Sequence, residues 1–168
     1  MDKKTLQKEI DTLSKATKLI FKKHGHIVPV VFFGTIFNNG QKALGEIPLI
    51  PPIMEKRFEA LRFFGTKMKE DPKIKEIEYV LMMSEVFIGS PTDKEKAPLK
   101  PSEDPNAKDG IMITAMNQEG VQLAKTFEIT KAKWWKKKGL KEVHKTTKIE
   151  TSLLAEFWKG YKEPVITS

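Results

Sequence analysis

The chain has 168 residues, a net charge of +8 at neutral pH, 39% hydrophobic residues and no cysteine. A chain of this length buries roughly 70% of the surface its unfolded form exposes, and Leu, Ile, Val and Phe make up about a quarter of it, too much apolar content for a chain that stays disordered. The missing cysteine excludes disulfide frameworks, thiolate metal sites and cysteine nucleophiles. With no apolar run of about 18 residues and no export signal in MDKKTLQKEI, the expectation is a cytoplasmic protein with no membrane partner.

Leu6, Ile10, Leu13, Thr17 and Ile20 recur at spacings of four and three, which predicts an amphipathic helix over Lys3 to Lys23 that ends at His24-Gly25. Ile27 to Phe37 is β-branched and aromatic, and Asn38-Asn39-Gly40 turns it into a weaker strand near Lys42 to Ile47, a hairpin whose Pro29 places its first strand at an edge. Pro51 and Pro52 open a second helix, with Met54, Phe58, Leu61, Gly65 and Met68 on one face and Asp71-Pro72 as its stop. Ile77 to Ile88 carries apolar residues on both parities, as a central strand covered on two faces does. Residues 89–109 are Pro-rich and charged and read as a long exposed loop. Ile111 to Met116 and Val121 to Thr130 form another hairpin around Asn117 to Gly120. Lys133 to Ile149 reads as a basic turn and extended segment, here called the basic hairpin (133–149). Thr151 or Ser152 caps a short helix through Leu153, Leu154, Phe157 and Trp158. The order predicts a single α+β domain over residues 1–168, with an antiparallel sheet of about five strands, two main helices and a short C-terminal helix.

The positive charge is unevenly placed. Residues 121–168 hold 11 basic and 5 acidic side chains, an asymmetry that fits either a footprint for nucleic acid or an acidic partner or a plain solvated lysine surface. Within it, Lys133, Trp134, Trp135, Lys136, Lys137, Lys138 and Lys141 combine aromatic faces with cations, the ingredients for stacking bases while neutralising phosphates. Against this, only Arg57 and Arg62 are Arg among 30 basic residues, so bidentate base recognition is not indicated. Binding through this cluster is therefore expected to be non-specific.

Motifs for catalysis are sparse. His24-Gly25-His26 with Glu85 contains the elements of a two-His, one-carboxylate site, but two His flanking Gly also make an ordinary polar helix terminus, and no metal or other cofactor is expected. His24, His26 and Glu85 are the catalytic candidates. The JAB metalloprotease signature also begins with His-x-His, but IVPVVFFGTIFNNG after His26 lacks its Ser and Asp. No Gly-rich phosphate loop and no Gly-x-Ser-x-Gly elbow occurs.

A helix ending near His24-Gly25, a strand with Pro29, a second helix, a strand ending Ser84-Glu85-Val86-Phe87 and the loop Pro101-Ser102-Glu103-Asp104-Pro105 together resemble a family of small prokaryotic and phage-borne hypothetical proteins, over residues 3–130. That family has a Glu-Ala-Trp-like strand end and a Pro-Ser-x-x-Pro loop followed by an Arg and a Glu. This chain departs from it at Phe87, where the family has Trp, and at Asn106 to Asp109, which lack the Arg. The resemblance implies an α+β fold and transfers no catalytic residue, because the family has no established activity. The sequence thus leads to a non-enzymatic binding or accessory protein, an interaction module with a protein partner or a second copy of itself, and with nucleic acid as a further ligand. A small hydrolase using Glu85 and a His is the competing class.

Overall fold

The computed structural model describes residues 1–50, 53, 55–88, 108–130, 139–143 and 152–163. Among them are three principal helices, α1 (Lys3–His24), α2 (Arg57–Glu70) and α3 (Ser152–Lys162). The six strands are β1 (Val30–Phe37), β2 (Lys42–Pro48), β3 (Ile74–Ile88), β4 (Lys108–Asn117), β5 (Gln122–Thr130) and β6 (Gly139–Val143). They form one sheet in the order β2-β1-β3-β4-β5-β6, antiparallel at every pairing. The fold is the expected α+β class, and β6 is the strand beyond the anticipated five.

The sheet is covered on both faces. Leu6, Ile10, Phe21 and Ile27 from α1 and its exit pack with Tyr79, Leu81, Met83, Ile111, Ile113, Ala115 and Phe127. On the other face Leu61 of α2 and Leu153, Leu154, Phe157 and Trp158 of α3 pack with Val31, Phe33, Ile77, Val80, Met82 and Met116. This is why β3 is apolar on both parities: alternate side chains enter two separate cores. The α1-side core continues onto β5, where Val121, Leu123 and Ile129 pack beside Phe127, the alternation expected of that strand.

Asp2 caps α1 by accepting a hydrogen bond from the Thr5 N–H at 2.7 Å, and Gly25 ends it in the left-handed conformation at φ 78°, its N–H bonded to the Phe21 carbonyl. The buried stripe of α1 closes on Phe21, and Ile20, expected to be buried, is 42% exposed. A position 100° further round the helix reaches the sheet better than Ile20 does. Pro29 does not mark an edge. It lies just before β1, which sits between β2 and β3, and its carbonyl accepts from the Leu49 N–H at 2.8 Å. In the β1–β2 turn Gly40 alone takes positive φ. In α2 the expected face is only partly buried: Leu61 and Gly65 are inside, whereas Phe58 is exposed. Lys108 and Asp109, expected in the loop, belong to β4. Pro51, Pro52, Met54, Thr151 and residues 89–107, 131–138 and 144–150 lie outside the described residues.

Candidate nucleic-acid interface

The chemistry available on this molecule is governed by how α1 sits. Its N-terminus lies by the β4–β5 turn, where the Met1 ammonium is 3.5 Å from Glu119 and Asn117 Nδ2 donates to the Met1 carbonyl. One-third of the way along, Lys125 Nζ donates to Asp11 Oδ1 at 2.9 Å, and Lys18 Nζ lies 5.1 Å from the centroid of the Phe127 ring. α1 therefore runs parallel to β5, and its C-terminus lies at the end of the sheet where β3 and β5 finish and β4 and β6 begin.

Seven lysines, at positions 3, 4, 8, 15, 18, 22 and 23, are exposed on α1. At 100° per residue Lys4, Lys8, Lys15 and Lys22 fall within about 40° of one another and extend over about 27 Å of helix axis. The acidic residues at this helix are all engaged. Asp2 accepts from the Thr5 N–H, which lowers its pKa. Glu9 accepts from the buried Tyr79 hydroxyl at 3.1 Å. Asp11 takes the Lys125 ammonium, a hydrogen bond that pulls the Asp11 carboxyl below its ordinary value and raises Lys125 in turn. Along this line runs a shallow depression of about 720 Å³ lined by Lys4, Lys8, Lys15 and Asp11, the last already paired with Lys125.

The sequence-predicted residues divide into three groups. Lys133, Trp134, Trp135, Lys136, Lys137 and Lys138 lie outside the described residues. The flanking residues Thr130 and Gly139 pair with each other, so that segment leaves and re-enters the sheet at the end where Lys22 and Lys23 stand. Lys141 is exposed on β6 opposite Glu128. It projects from the face away from α1, because its neighbour Glu142 is the residue that meets Lys125, so Lys141 does not join the α1 line.

His24, His26 and Glu85 do share one end of the molecule. The two imidazoles are 6.4 Å apart at 66°, His26 Nδ1 lies 3.1 Å from the His24 carbonyl, and Glu85 Oε1 accepts from the Ile27 N–H at 3.3 Å. Among the described residues neither ring hydrogen-bonds Glu85, a serine or a threonine. Among the described residues no group of three His, Asp or Glu side chains converges to hold a metal. Glu85, which its place between Met83 and Phe87 leads one to bury, is exposed, as is Phe87. Near this end of β3, Thr17 donates to Met83 Sδ at 3.0 Å, and Phe21 and Ile27 pack in the same core as Met83. Glu85 acts there as an acceptor for a loop N–H that no strand neighbour satisfies.

The lysine line of α1 was within reach of the sequence. The spacing 4, 8, 15, 22 marks one side of a helix as surely as the apolar stripe marks the other, but the summed charge of the C-terminal quarter drew the footprint there. No family model, curated protein or solved structure matches this chain. Among the described residues no helix is long and apolar enough to cross a membrane.

Proposed function

We propose that this protein is a non-enzymatic accessory module that binds nucleic acid without sequence preference, along the outer face of α1. The supporting observation is the line of Lys4, Lys8, Lys15 and Lys22, all exposed, beside acidic residues already committed to Thr5, Tyr79 and Lys125. A duplex carries one phosphate charge per about 1.7 Å of axis, so a straight cationic line displaces condensed counterions wherever it lies along the backbone. Lysine supplies point charges rather than bidentate forks, which favours affinity without base discrimination.

Titration of labelled duplex at several salt concentrations tests this reading. Four phosphate contacts predict a log–log slope of about −3.6 from α1 alone. Replacing Lys4, Lys8, Lys15 and Lys22 together by Gln, itself a good helix former, is expected to flatten the slope by that amount while the far-UV spectrum and melting temperature stay unchanged. Binding whose salt slope is unaltered in this variant removes α1 as the interface. Loss on replacing Lys136 to Lys138 instead moves the interface to the basic hairpin.

A further inference from the structure

A second site lies on another flank of α1, and its chemistry is of the opposite sign. Gly34 pairs with Tyr79 but the next residue, Thr35, pairs with Ile77, so Glu78 is the extra residue of a β-bulge. Bulges of this kind re-aim side chains and recur beside functional sites. Here Glu78 and Tyr79, neighbours in sequence, both line one cleft of about 330 Å³ together with Glu9, Gly34, Lys42 and Leu44, a volume at the small end of ligand pockets.

Two features of the cleft go beyond what packing requires. A Cβ on residue 34 would lie 2.4 Å from the Tyr79 ring, so glycine is what lets that ring cross β1 and form the floor. The Tyr79 hydroxyl is spent on Glu9 Oε2, and among the described residues the other oxygen of Glu9 accepts no hydrogen bond. Both carboxylates are close enough to Tyr79, together with its burial, to keep the phenol un-ionised well above its ordinary range. The walls therefore present acceptors and negative charge. Two lining residues carry a cation: Met1, whose ammonium lies 3.5 Å from Glu119, and Lys42, whose Nζ sits 3.0 and 2.9 Å from the two Glu78 oxygens on a side chain that is 66% exposed. So exposed an ion pair is readily exchanged.

We infer that this cleft binds a linear aliphatic diamine, with one ammonium on Glu9, the other on Glu78 in place of Lys42, and the methylene chain along the Tyr79 ring and Leu44. Lys42 already shows half of the fit: it is an alkylammonium of this chain seated on Glu78 in the same cleft that Tyr79 lines. Charge, donor count and an apolar body are all required of the ligand, because the cleft offers acceptors at two points and hydrocarbon between them. The inference is independent of the nucleic-acid reading, which concerns other residues and an anionic ligand.

The test is a titration of the isotope-labelled full chain with cadaverine at fixed ionic strength, followed by amide shifts. Saturable shifts confined to Gly34, Lys42 to Leu44, Glu78 and Tyr79 are expected. Lys42→Met vacates Glu78 and is expected to tighten binding. Glu78→Gln is expected to weaken it about tenfold, the worth of a charge-assisted hydrogen bond, with the dispersed spectrum retained as evidence of the fold. Shifts that fail to saturate, that spread over acidic side chains elsewhere, or that are equally strong in wild type, Lys42→Met and Glu78→Gln overturn the proposal. Saturation by the monoamine n-pentylamine as tight as by cadaverine overturns the two-point geometry.

Discussion

On one face of the sheet α1 is the helix that lies there among the described residues, fastened by apolar contacts and by polar anchors near its flanks. On the other, α2 and α3 cross with their backbones touching. A Cβ on Gly65 would fall 2.1 Å from the Phe157 carbonyl oxygen, and one on Gly160 would fall 1.9 Å from that of Arg62. Around this crossing Phe157, Trp158 and Tyr161 pack ring to ring, with centroids 5.5 to 6.3 Å apart. Trp158 Nε1 donates to the Met116 carbonyl and the Tyr161 hydroxyl accepts from the Ile77 N–H, so both rings are tied to the sheet as well as to each other. The α1 side spends its outer surface on lysines and its flank on a polar cleft, whereas the α2–α3 side spends its interior on exclusion of space. The comparison teaches that close backbone packing and exposed positive charge lie on opposite faces, so on the proposed reading substitutions should separate stability from nucleic-acid binding.

Gly160→Ala gives the largest separation. The helix gains about 1 kcal/mol of intrinsic propensity, but the new methyl meets backbone on the facing helix rather than a side chain that can rotate away. The net expectation is a loss of about 3 kcal/mol or more, read as a fall in the denaturant midpoint, with duplex affinity unaltered wherever the variant is folded. A variant as stable as wild type would mean that the helices can part without cost. Tyr161→Phe follows at about 1 kcal/mol: the ring stacking stays and only the acceptor for the Ile77 N–H is lost. The same melts measure it, and no loss would show that water replaces the hydroxyl.

Legibility of the fold divides along the same line. Periodicity exposes which side chains are apolar, so α1, β3, the two hairpins and the α3 set Leu153, Leu154, Phe157 and Trp158 could be read directly. It does not expose where an element ends relative to its cover, which is why Ile20 was expected inside and lies outside. Close approach is equally silent: Gly65 falls on the predicted face of α2, but nothing local distinguishes a glycine that permits contact from one that merely interrupts a helix, and Gly160 carries no pattern at all. The bulge at Glu78 depends on which residue of β1 it faces, information that exists only once the strands are paired. The cleft beside it was therefore unreadable, although Glu9, Lys42 and Tyr79 are all in plain view in the sequence. The lysine line differs in kind, since its spacing was available and the choice of net charge over helical phase obscured it.

The smallest effect joins the two faces of the argument at Asp11. Its carboxylate accepts from Lys125 Nζ at 2.9 Å and from Gln7 Nε2 at 3.1 Å, and Lys125 also lies 3.4 Å from Glu142. The Lys125 hydrogen bond lowers the Asp11 pKa in the folded protein, so the stabilisation is present above the ordinary carboxylate value near 3.8 and is lost as pH falls through the lower folded value. Lys125 is raised, so its share is full below its ordinary value near 10.5 and disappears only as pH rises through the higher folded one. Between those limits the pair is constant. Asp11 is 44% exposed and Lys125 24%, so solvent screening holds the contribution to about 0.5 kcal/mol. Asp11→Asn is therefore expected to lower stability slightly at pH 7 and not at all once acid has protonated wild-type Asp11, and high salt is expected to shrink the difference. The same substitution removes a negative charge beside Lys4, Lys8 and Lys15 and frees Lys125 from it. Duplex affinity at low salt should then rise while stability falls, two measurements of opposite sign from one side chain. A stability loss that persists in acid shows that Asp11 acts through packing instead, and an affinity that falls with it shows that the carboxylate positions the lysines rather than opposing them.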